Sequence, residues 1–334
     1  MKRILILHTG GTITMQLHDN TIDATDSSQP FNLAFFEEQI PGLQEIARIA
    51  SETLFLEDSS NMLPSHWANI AGVIDDNYAR YDGFVILHGT DTMAYTASAL
   101  SFCFENLEKP IVLTGSQVPL GNRRTDARRN LINSVELATL NIPEVCICFN
   151  DRVYRGNRAT KISIGDFDAF SSPNHPVLAE FGLKLSIHTS YRPGSGPFAT
   201  SARFDPGIRL VKLFPGMEGS WMFPETADAC RGVVVEAYGS GNIPYGRQQS
   251  IMPALKRYID SGGVAVITSQ ALHDEVDLNK YEGGRMALKY GAVSGGDMTT
   301  EACVSKLMYL LAHHSDVQSV KERFRMNLAG ERST

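Results

Sequence analysis

The sequence predicts an α/β fold with two domains, each built on a mainly parallel sheet. Short runs of consecutive apolar residues recur along the chain, and most of them end in a small polar segment that contains glycine. Unbroken apolar runs of this length are typical of strands buried on both faces, as in parallel sheets. Helical patterns lie between these runs, and this alternation is typical of α/β proteins. The length of 334 residues, at roughly 150 residues per domain, favours two domains.

The apolar runs predict the strands that organise the sheets. They are Ile4–Leu7, Phe84–Leu87, Ile111–Leu113, Val145–Phe149, Val233–Val235 and Val264–Ile267. Apolar residues spaced three or four apart predict helices from Trp67 to Ile74, from Met93 to Phe104 and from Val304 to Leu311. In an open α/β sheet, ligands bind beyond the carboxyl ends of the strands. We therefore expect the polar segments that follow the strands to form the functional site.

A stretch rich in proline, glycine and serine between Leu185 and Ile208 interrupts the alternation and is typical of an extended linker. We predict a larger N-terminal α/β domain over residues 1–185, which carries the candidate catalytic residues, and a linker over residues 186–208. A smaller, flavodoxin-like α/β domain is predicted over residues 209–334.

Composition and charge exclude several classes of protein. With 43% hydrophobic and 20% charged residues, the chain is typical of a folded soluble protein rather than a disordered one. Its formal charge of −7 argues against non-specific binding to nucleic acid or to an anionic membrane. We expect a cytoplasmic location, because no signal peptide is evident and no apolar run approaches the ~20 residues that span a bilayer. The five scattered cysteines favour a reducing compartment, and we expect neither a metal site nor a cofactor.

The segment HGTDT, residues 88–92, has the strongest catalytic character. It follows a fully apolar strand and precedes a predicted helix, which places Thr90 and Asp91 at a helix N-terminus. One interpretation is that these side chains only cap the helix. The other is nucleophile chemistry, because a threonine hydroxyl is weakly acidic and needs a base, which an Asp–Lys couple supplies. Lys161, in another polar segment after a strand, is the candidate lysine.

Two further polar segments are candidates. TGGTI, residues 9–13, follows the first strand, and its glycines permit a tight turn and close approach of the backbone to a ligand. A purely structural turn explains that segment equally well. EDSSNM, residues 57–62, offers small polar side chains that suit an α-amino and α-carboxylate pair, or else it caps the helix that contains Trp67.

Several motifs taken together give a specific resemblance that covers nearly the whole chain. They are TGGTI, HGTDTMAYTASALSF, TGSQVP, YRGNRATK, GSGN and GGDMTTEACVSKLMYLL. With them the sequence resembles the bacterial L-asparaginases, above all the cytoplasmic type I group. The resemblance implies a two-domain amidohydrolase that acts on L-asparagine and more weakly on L-glutamine. It also implies a homodimer, or a homotetramer formed as a dimer of dimers, with active sites shared between neighbouring subunits.

The resemblance also implies the roles of individual residues. Thr12 matches the primary nucleophile, and Thr90 matches a second threonine that Lys161 and Asp91 activate. The implied substrate-binding residues are Asp58, Ser59, Ser60, Thr90, Asp91, Ser116 and, from the neighbouring subunit, Asn242. The implied reaction is acyl transfer through a threonyl ester, in which ammonia leaves first and water then releases aspartate.

Some positions depart from the family pattern. The loop Met15–Ser28 lacks the tyrosine that relatives carry there. Glu236 and Ala271 stand where some type I enzymes have an arginine and a cysteine of a regulatory asparagine site, so we expect no such regulation. Two alternatives stay open, a non-catalytic or weakly active amino-acid sensor of the same fold and an amidohydrolase that prefers glutamine. An ammonia-supplying amidotransferase subunit is disfavoured, because such subunits carry a further domain before TGGT, which begins here at Thr9.

Overall fold

The computed structural model describes residues 1–14, 17–18, 21–22, 36, 38–188, 195–228, 230–246 and 251–333. The chain divides into two compact units, Met1–Ala202 and Arg203–Thr334. Each unit has its own sheet, and the mixed α/β class predicted from the apolar runs is confirmed. Part of the predicted linker, residues 189–194, lies outside the described residues, and the linker boundaries stay a prediction.

The N-terminal unit is built on an eight-stranded sheet. Its strands are β1 (Arg3–His8), β4 (Arg48–Thr53), β5 (Gly83–Leu87), β7 (Ile111–Thr114), β8 (Val145–Phe149), β9 (Arg152–Arg155), β12 (Ala179–Phe181) and β13 (Leu185–Ile187). The strand order is β13-β12-β9-β8-β7-β5-β1-β4. The strands from β4 to β8 in this order are parallel, and β9, β12 and β13 extend the sheet by antiparallel pairing.

Shorter elements complete this unit. Two-residue strands pair as β2 (Leu17–His18) with β3 (Thr21–Ile22), β10 (Thr160–Lys161) with β11 (Phe170–Ser171), and β6 (Phe104–Glu105) with β14 (Ala199–Thr200). The helices are α1 (Leu43–Ile46), α2 (Pro64–Asn77), α3 (Met93–Cys103) and α4 (Ala127–Ala138). In the described part of this unit, 3₁₀ turns cover Thr12–Thr14, Ser59–Asn61 and Gly156–Arg158.

Consecutive apolar residues account for the central position of β5 and β7. Every residue of these two strands is buried, as expected for strands covered on both faces. Helix α4 packs its apolar side, including Leu131 and Val135, into the core. The predicted helix through Phe104 ends instead at Cys103, because Phe104 pairs with Thr200 in the β6–β14 ladder.

The C-terminal unit is a four-stranded parallel sheet whose strands lie in chain order. They are β15 (Ile208–Lys212), β16 (Gly232–Ala237), β17 (Val264–Ser269) and β18 (Val293–Ser294). The helices are α5 (Gly219–Met222), α6 (Ile251–Asp260), α7 (Glu282–Tyr290), α8 (Thr300–His313) and α9 (Val317–Arg325). Inside α8, Lys306 is fully buried and pairs with the equally buried Glu331, and it also donates to the carbonyl oxygen of Phe324 at 2.8 Å. These bonds fasten the C-terminal segment to the unit.

None of the helices in the described part of the chain is long and apolar enough to span a membrane. All five cysteines are free thiols with buried side chains. Burial raises the pKa of the thiols, that of Cys148 to about 12 and that of Cys303 to about 12. These cysteines therefore behave as apolar core residues.

Candidate active site

Four neighbouring parallel strands of the N-terminal unit end at one edge of the sheet. They are β4, β1, β5 and β7 in spatial order, and the end residues His8, Leu87 and Thr114 are in register across β1, β5 and β7. The polar segments singled out in the sequence follow these strands directly. Since the carboxyl ends of parallel strands meet at one edge, candidates from four separate parts of the sequence lie together.

The centre of the site is a contact between Thr90, Asp91 and Lys161. The ammonium nitrogen of Lys161 donates to the Thr90 hydroxyl oxygen at 2.8 Å and to an Asp91 carboxylate oxygen at 2.6 Å. Thr90 is buried, and the Lys161 side chain is only 16% exposed, whereas that of Asp91 is 63% exposed. One cation therefore bridges a buried hydroxyl and a carboxylate that faces solvent. The structure thus brings these three candidates from the sequence into contact.

The alternative reading of HGTDT as a helix cap is wrong. The N-cap position of α3 is Thr92, and no side chain there accepts a capping hydrogen bond. The Thr92 hydroxyl donates instead to the backbone carbonyl of Ser59 at 2.7 Å. Thr90 and Asp91 precede the cap, so their side chains are available for contacts outside the helix.

Lys161 is positioned by local structure rather than by the main sheet. The buried 3₁₀ turn Gly156–Arg158 contacts α3 and leads into β10. Within the β10–β11 ladder, Lys161 lies opposite Phe170, which is almost completely buried. The lysine thus starts from a fixed backbone position and reaches Thr90 and Asp91 across 71 and 70 residues of sequence.

Thr12 lies in the half-buried 3₁₀ turn that follows β1. The preceding residue, Gly11, has φ of +92°, and a Cβ atom there would lie 2.5 Å from the backbone nitrogen of Gly89. Only glycine combines this conformation with so close an approach. Since Gly11 precedes Thr12 and Gly89 precedes Thr90, the two threonines project from backbone segments in direct contact. The turn is structural, as one reading of TGGTI held, and it also brings Thr12 to the site.

Asp58, Ser59 and Ser60 form the side of the site that follows β4. Asp58 is exposed and accepts a hydrogen bond from the Ser60 backbone nitrogen at 2.7 Å, which caps the turn Ser59–Asn61. Hydrogen bonds from the Ser60 side chain and backbone lower the pKa of the Asp58 carboxyl, which is therefore anionic at neutral pH. Ser59 is buried against the HGTDT segment, where a Cβ on Gly89 would lie 2.6 Å from its hydroxyl oxygen. The alternative interpretation of this segment as the cap of α2 does not hold, because Leu63 occupies the N-cap position.

A buried hydrogen-bond chain supports Gly89 from behind. His88 Nδ1 lies 2.7 Å from the Gly89 carbonyl oxygen, and Nε2 lies 2.9 Å from the Thr96 hydroxyl, which accepts from Trp67 Nε1 at 3.0 Å. A carbonyl only accepts, so Nδ1 carries the proton and Nε2 accepts from Thr96. Burial lowers the pKa of His88 to about 4. His88 is therefore a neutral residue that fixes the backbone before Thr90.

Ser116 and Gln117 follow β7, and Asn242 lies in the C-terminal unit. The Ser116 hydroxyl is buried without a hydrogen-bond partner among the described residues. Gln117, which the sequence analysis did not single out, places its side-chain oxygen 3.4 Å from the Thr90 hydroxyl. Its position after a buried strand, in TGSQ, was the available signal. Asn242 closes a turn after β16 by a backbone bridge to Tyr238.

The polar groups of this site suit acyl transfer. Two threonines, one lysine and two exposed carboxylates belong to segments that meet at a common edge. Among the residues that the structure describes, no cluster of three or more His, Cys, Asp or Glu side chains is arranged to hold a metal ion. A hydroxyl beside a lysine is a recognised arrangement for an activated nucleophile.

The chain matches the models of two known protein-family domains. The family model described as "Asparaginase, N-terminal" matches residues 3–193, and that described as "Glutaminase/Asparaginase C-terminal domain" matches residues 207–324. Together the two models cover both compact units.

Individual proteins that are similar to this chain agree with the family models. L-asparaginase 1 of Escherichia coli (strain K12) is 38% identical, with 99% of this chain and 98% of that protein covered. The solved thermostable L-asparaginase from Thermococcus kodakarensis superimposes with a TM-score of 0.87 at 32% identity and covers 99% of each chain. L-asparaginase I from Vibrio cholerae has a TM-score of 0.84 at 36% identity, with 100% of this chain and 99% of that one covered.

The contact between Gly11 and Gly89 predicts the effect of Gly11→Ala. The new methyl group meets the Gly89 backbone and the φ angle disfavours alanine, so the Thr12 and Thr90 segments must separate. We expect a loss of stability of about 1–2 kcal/mol and a fall in activity of about 10²-fold, measured by urea unfolding and by ammonia release from L-asparagine. The control is Gly72→Ala inside α2, where nothing lies within 4 Å of the added Cβ and a gain of about 0.5–1 kcal/mol is expected. Full activity in the Gly11→Ala variant would contradict a close contact between the Gly11 and Gly89 backbones.

The buried histidines predict a pH dependence of stability. The pKa of His8 and that of His88 are each lowered by burial to about 4 in the folded protein, against about 6.5 when unfolded. Their stabilisation is complete above pH 6.5 and is lost as the pH falls towards 4. The free energy of unfolding should drop by up to about 1.4 kcal/mol per pH unit for each histidine. Urea unfolding at pH 7.5, 6.0 and 5.0 measures this slope.

A substitution tests the contribution of His88 directly. His88→Gln should reduce the slope, because the residue whose pKa burial lowers is removed. A free energy of unfolding that stays constant between pH 6.5 and 5 is the contrary result.

Proposed function

The chain belongs to the asparaginase family, and from this premise we propose that it hydrolyses L-asparagine to L-aspartate and ammonia through an ester on a threonine side chain. The observation that carries the proposal is the contact of Lys161 with Thr90 at 2.8 Å and with Asp91 at 2.6 Å. A hydroxyl needs a neighbouring group that exchanges protons with it before it takes part in acyl transfer. Lys161 is that group, and Asp91 holds it in place.

Thr12 is the nucleophile of this proposal, supported by the backbone contact that sets it against the Thr90 segment. Its hydroxyl oxygen forms a bond to the side-chain carbonyl carbon of asparagine, and the carbon–nitrogen bond breaks. The hydroxyl proton leaves with the nitrogen as ammonia. Water then adds to the ester, one of its protons returns to the Thr12 oxygen, and aspartate is released. Thr90 with Lys161 orients this water and exchanges protons with it.

The head group of the substrate is held by Asp58, Ser59 and Ser60 in this account. An α-ammonium group suits the exposed anion of Asp58, and Asp91 supplies a second carboxylate. The hydroxyl of Ser116, which is buried and has no hydrogen-bond partner among the residues that the structure describes, offers a further hydrogen bond. Asn242 from a neighbouring copy, in a homodimer or a homotetramer, stays part of the proposal, as do weaker hydrolysis of L-glutamine and a cytoplasmic location.

The missing loop tyrosine favours one competing function, that of an amino-acid sensor with little or no turnover. Most of the loop Met15–Ser28 lies outside the described residues. Ammonia release from L-asparagine by the purified protein separates an enzyme from a sensor. The steady-state kcat/KM for L-asparagine and for L-glutamine measures which amide is preferred.

Substitutions at the threonines and the lysine test the chemistry. Thr12→Ala should lower kcat by several orders of magnitude, because the attacking hydroxyl is lost. Lys161→Met and Thr90→Ala should cause similar losses, and the double variant should be no worse than either, since groups that act as one unit are not additive. Thr139→Ala, at the exposed C-terminal end of α4, is the matched control and should keep full activity. More than a tenth of wild-type kcat in Thr12→Ala excludes that residue as the nucleophile.

The environment of Glu236 predicts unregulated kinetics. Its carboxylate accepts a hydrogen bond from the Thr300 hydroxyl at 2.8 Å and lies 3.7 Å from the Lys212 ammonium. A second asparagine would bring its own carboxylate to this anion, and two like charges ~4 Å apart repel by about 4 kcal/mol at an effective dielectric constant near 20. Velocity against L-asparagine should therefore be hyperbolic. Sigmoidal kinetics with a Hill coefficient clearly above one is the opposing outcome.

A further inference from the structure

Gln117 joins three loops around Thr90. Its backbone belongs to the segment after β7, its side-chain oxygen lies 3.4 Å from the Thr90 hydroxyl, and its side-chain nitrogen reaches the segment after β10. A separation of 3.4 Å is long for a hydrogen bond between oxygen atoms. Hydrogen bonds of catalytic groups are often long before substrate binds and shorten afterwards.

The orientation of the Gln117 amide follows from its partners. Its Nε2 atom donates to the carbonyl oxygen of Asp166 at 3.1 Å and to that of Ser163 at 3.4 Å. Backbone carbonyls only accept, so both amide hydrogens are used there and the amide cannot be flipped. The side-chain carbonyl oxygen is therefore the atom that faces Thr90. It can only accept a hydrogen bond.

The backbone of Gln117 is held as firmly as its side chain. Both oxygens of the buried Asp126 carboxylate accept from the Gln117 backbone nitrogen, at 3.1 and 3.0 Å, and one also accepts from Val118 at 3.1 Å. Asn130, one turn along α4, donates to Asp126 at 3.1 Å and to the Gly115 carbonyl at 3.0 Å. A loop fixed at these points keeps the Gln117 side chain next to Thr90.

The Thr90 hydroxyl has one hydrogen and two lone pairs. The charged Lys161 donates to one lone pair, and an acceptor-only oxygen from Gln117 takes the hydrogen. After these contacts with described residues, the second lone pair is the position that remains. We propose that Gln117 is a positioning residue of the reaction, whose side-chain carbonyl makes Thr90 a hydrogen-bond acceptor towards the reacting water. This rests on the proposed function, and it adds to it the residue that fixes the rotation of the Thr90 hydroxyl.

Two substitutions separate this role from simple bracing of the loops. Gln117→Met keeps the length of the side chain but has neither acceptor nor donors. Gln117→Glu keeps an acceptor oxygen, loses both amide donors and sets a carboxylate against the carbonyls of Ser163 and Asp166. If Gln117 only braced the loops, the glutamate variant would be no better than the methionine variant.

The experiment measures kcat and KM for L-asparagine together with the thermal unfolding midpoint of each variant. We expect kcat of Gln117→Met to fall by about 10- to 100-fold, the scale on which a misplaced reacting group slows catalysis, with KM changed by less than about threefold. Gln117→Glu should keep a clearly higher kcat than Gln117→Met. Should the methionine variant not fold, Gln117→Ala takes its place in this comparison.

The matched control is Gln270→Met in the C-terminal unit. The Gln270 side-chain nitrogen also donates to two backbone carbonyls, those of Leu213 at 2.7 Å and Glu236 at 3.0 Å. The Gln270→Met variant should lose about as much stability as Gln117→Met and keep the wild-type kcat. Equal kcat in the two Gln117 variants, an unchanged kcat in Gln117→Met, or an effect confined to KM overturns the proposal. A wild-type protein that releases no ammonia defeats the proposed function itself, and this is seen before any variant is compared.

Discussion

The bridge from Lys161 to Thr90 and Asp91 is the interaction on which the rest of the site depends. Its three groups come from the ends of β5 and from β10, about 70 residues apart in the chain. A lysine on a flexible stem holds a defined position only where its backbone and its partners are both fixed. The buried turn before β10 fixes the backbone of Lys161, and the rigid end of β5 fixes its partners Thr90 and Asp91. The sheet therefore positions these side chains, because it determines where the strands that carry them end.

Close backbone packing also fixes the positions of the loops on the other side of the site. Gly11 and Gly89 let two loops approach more closely than any side chain permits, and Ser59 packs against Gly89 from the third loop. Behind them, the neutral His88 holds the Gly89 carbonyl with a bond relayed from Thr96 and Trp67. Removing water from these buried groups costs little because each hydrogen bond has a matched donor and acceptor. The threonines are thus oriented by the backbone on which they stand.

Much of this arrangement was predictable from the sequence. Unbroken apolar runs predicted the central parallel strands, and the polar segments after them contain Thr12, Thr90 and Asp91. Asp58 was singled out only by the small polar side chains of its own segment. Lys161 was predictable because it too follows a strand in a polar segment. The family resemblance predicted roles that residue patterns alone left open between capping and catalysis.

Other features depend on tertiary contacts that no local pattern encodes. The edge strand β4 is polar and partly exposed, and β12 and β13 are short, so none of the three has the apolar run that marked the central strands. Helix α3 ends at Cys103 only because the distant Ala199–Thr200 segment pairs with the next residues. The orientation of Gln117 is set by carbonyls about 46 and 49 residues away. A buried lysine such as Lys306 in α8 looks like a surface position until Glu331 and the Phe324 carbonyl are seen beside it.

The central claim is that the segments of Thr12 and Thr90 meet at this sheet edge and that Thr12 carries an aspartyl group during the reaction. The most direct measurement is mass spectrometry of the purified protein quenched in acid within milliseconds of mixing with L-asparagine, followed by peptide mapping. We predict that Lys161→Met, slowed in the release of the ester, accumulates an aspartyl group on the peptide that contains Thr12, and that hydroxylamine removes it. Ammonia release without any acylated peptide, or an aspartyl group found on Thr90 instead, would contradict the account.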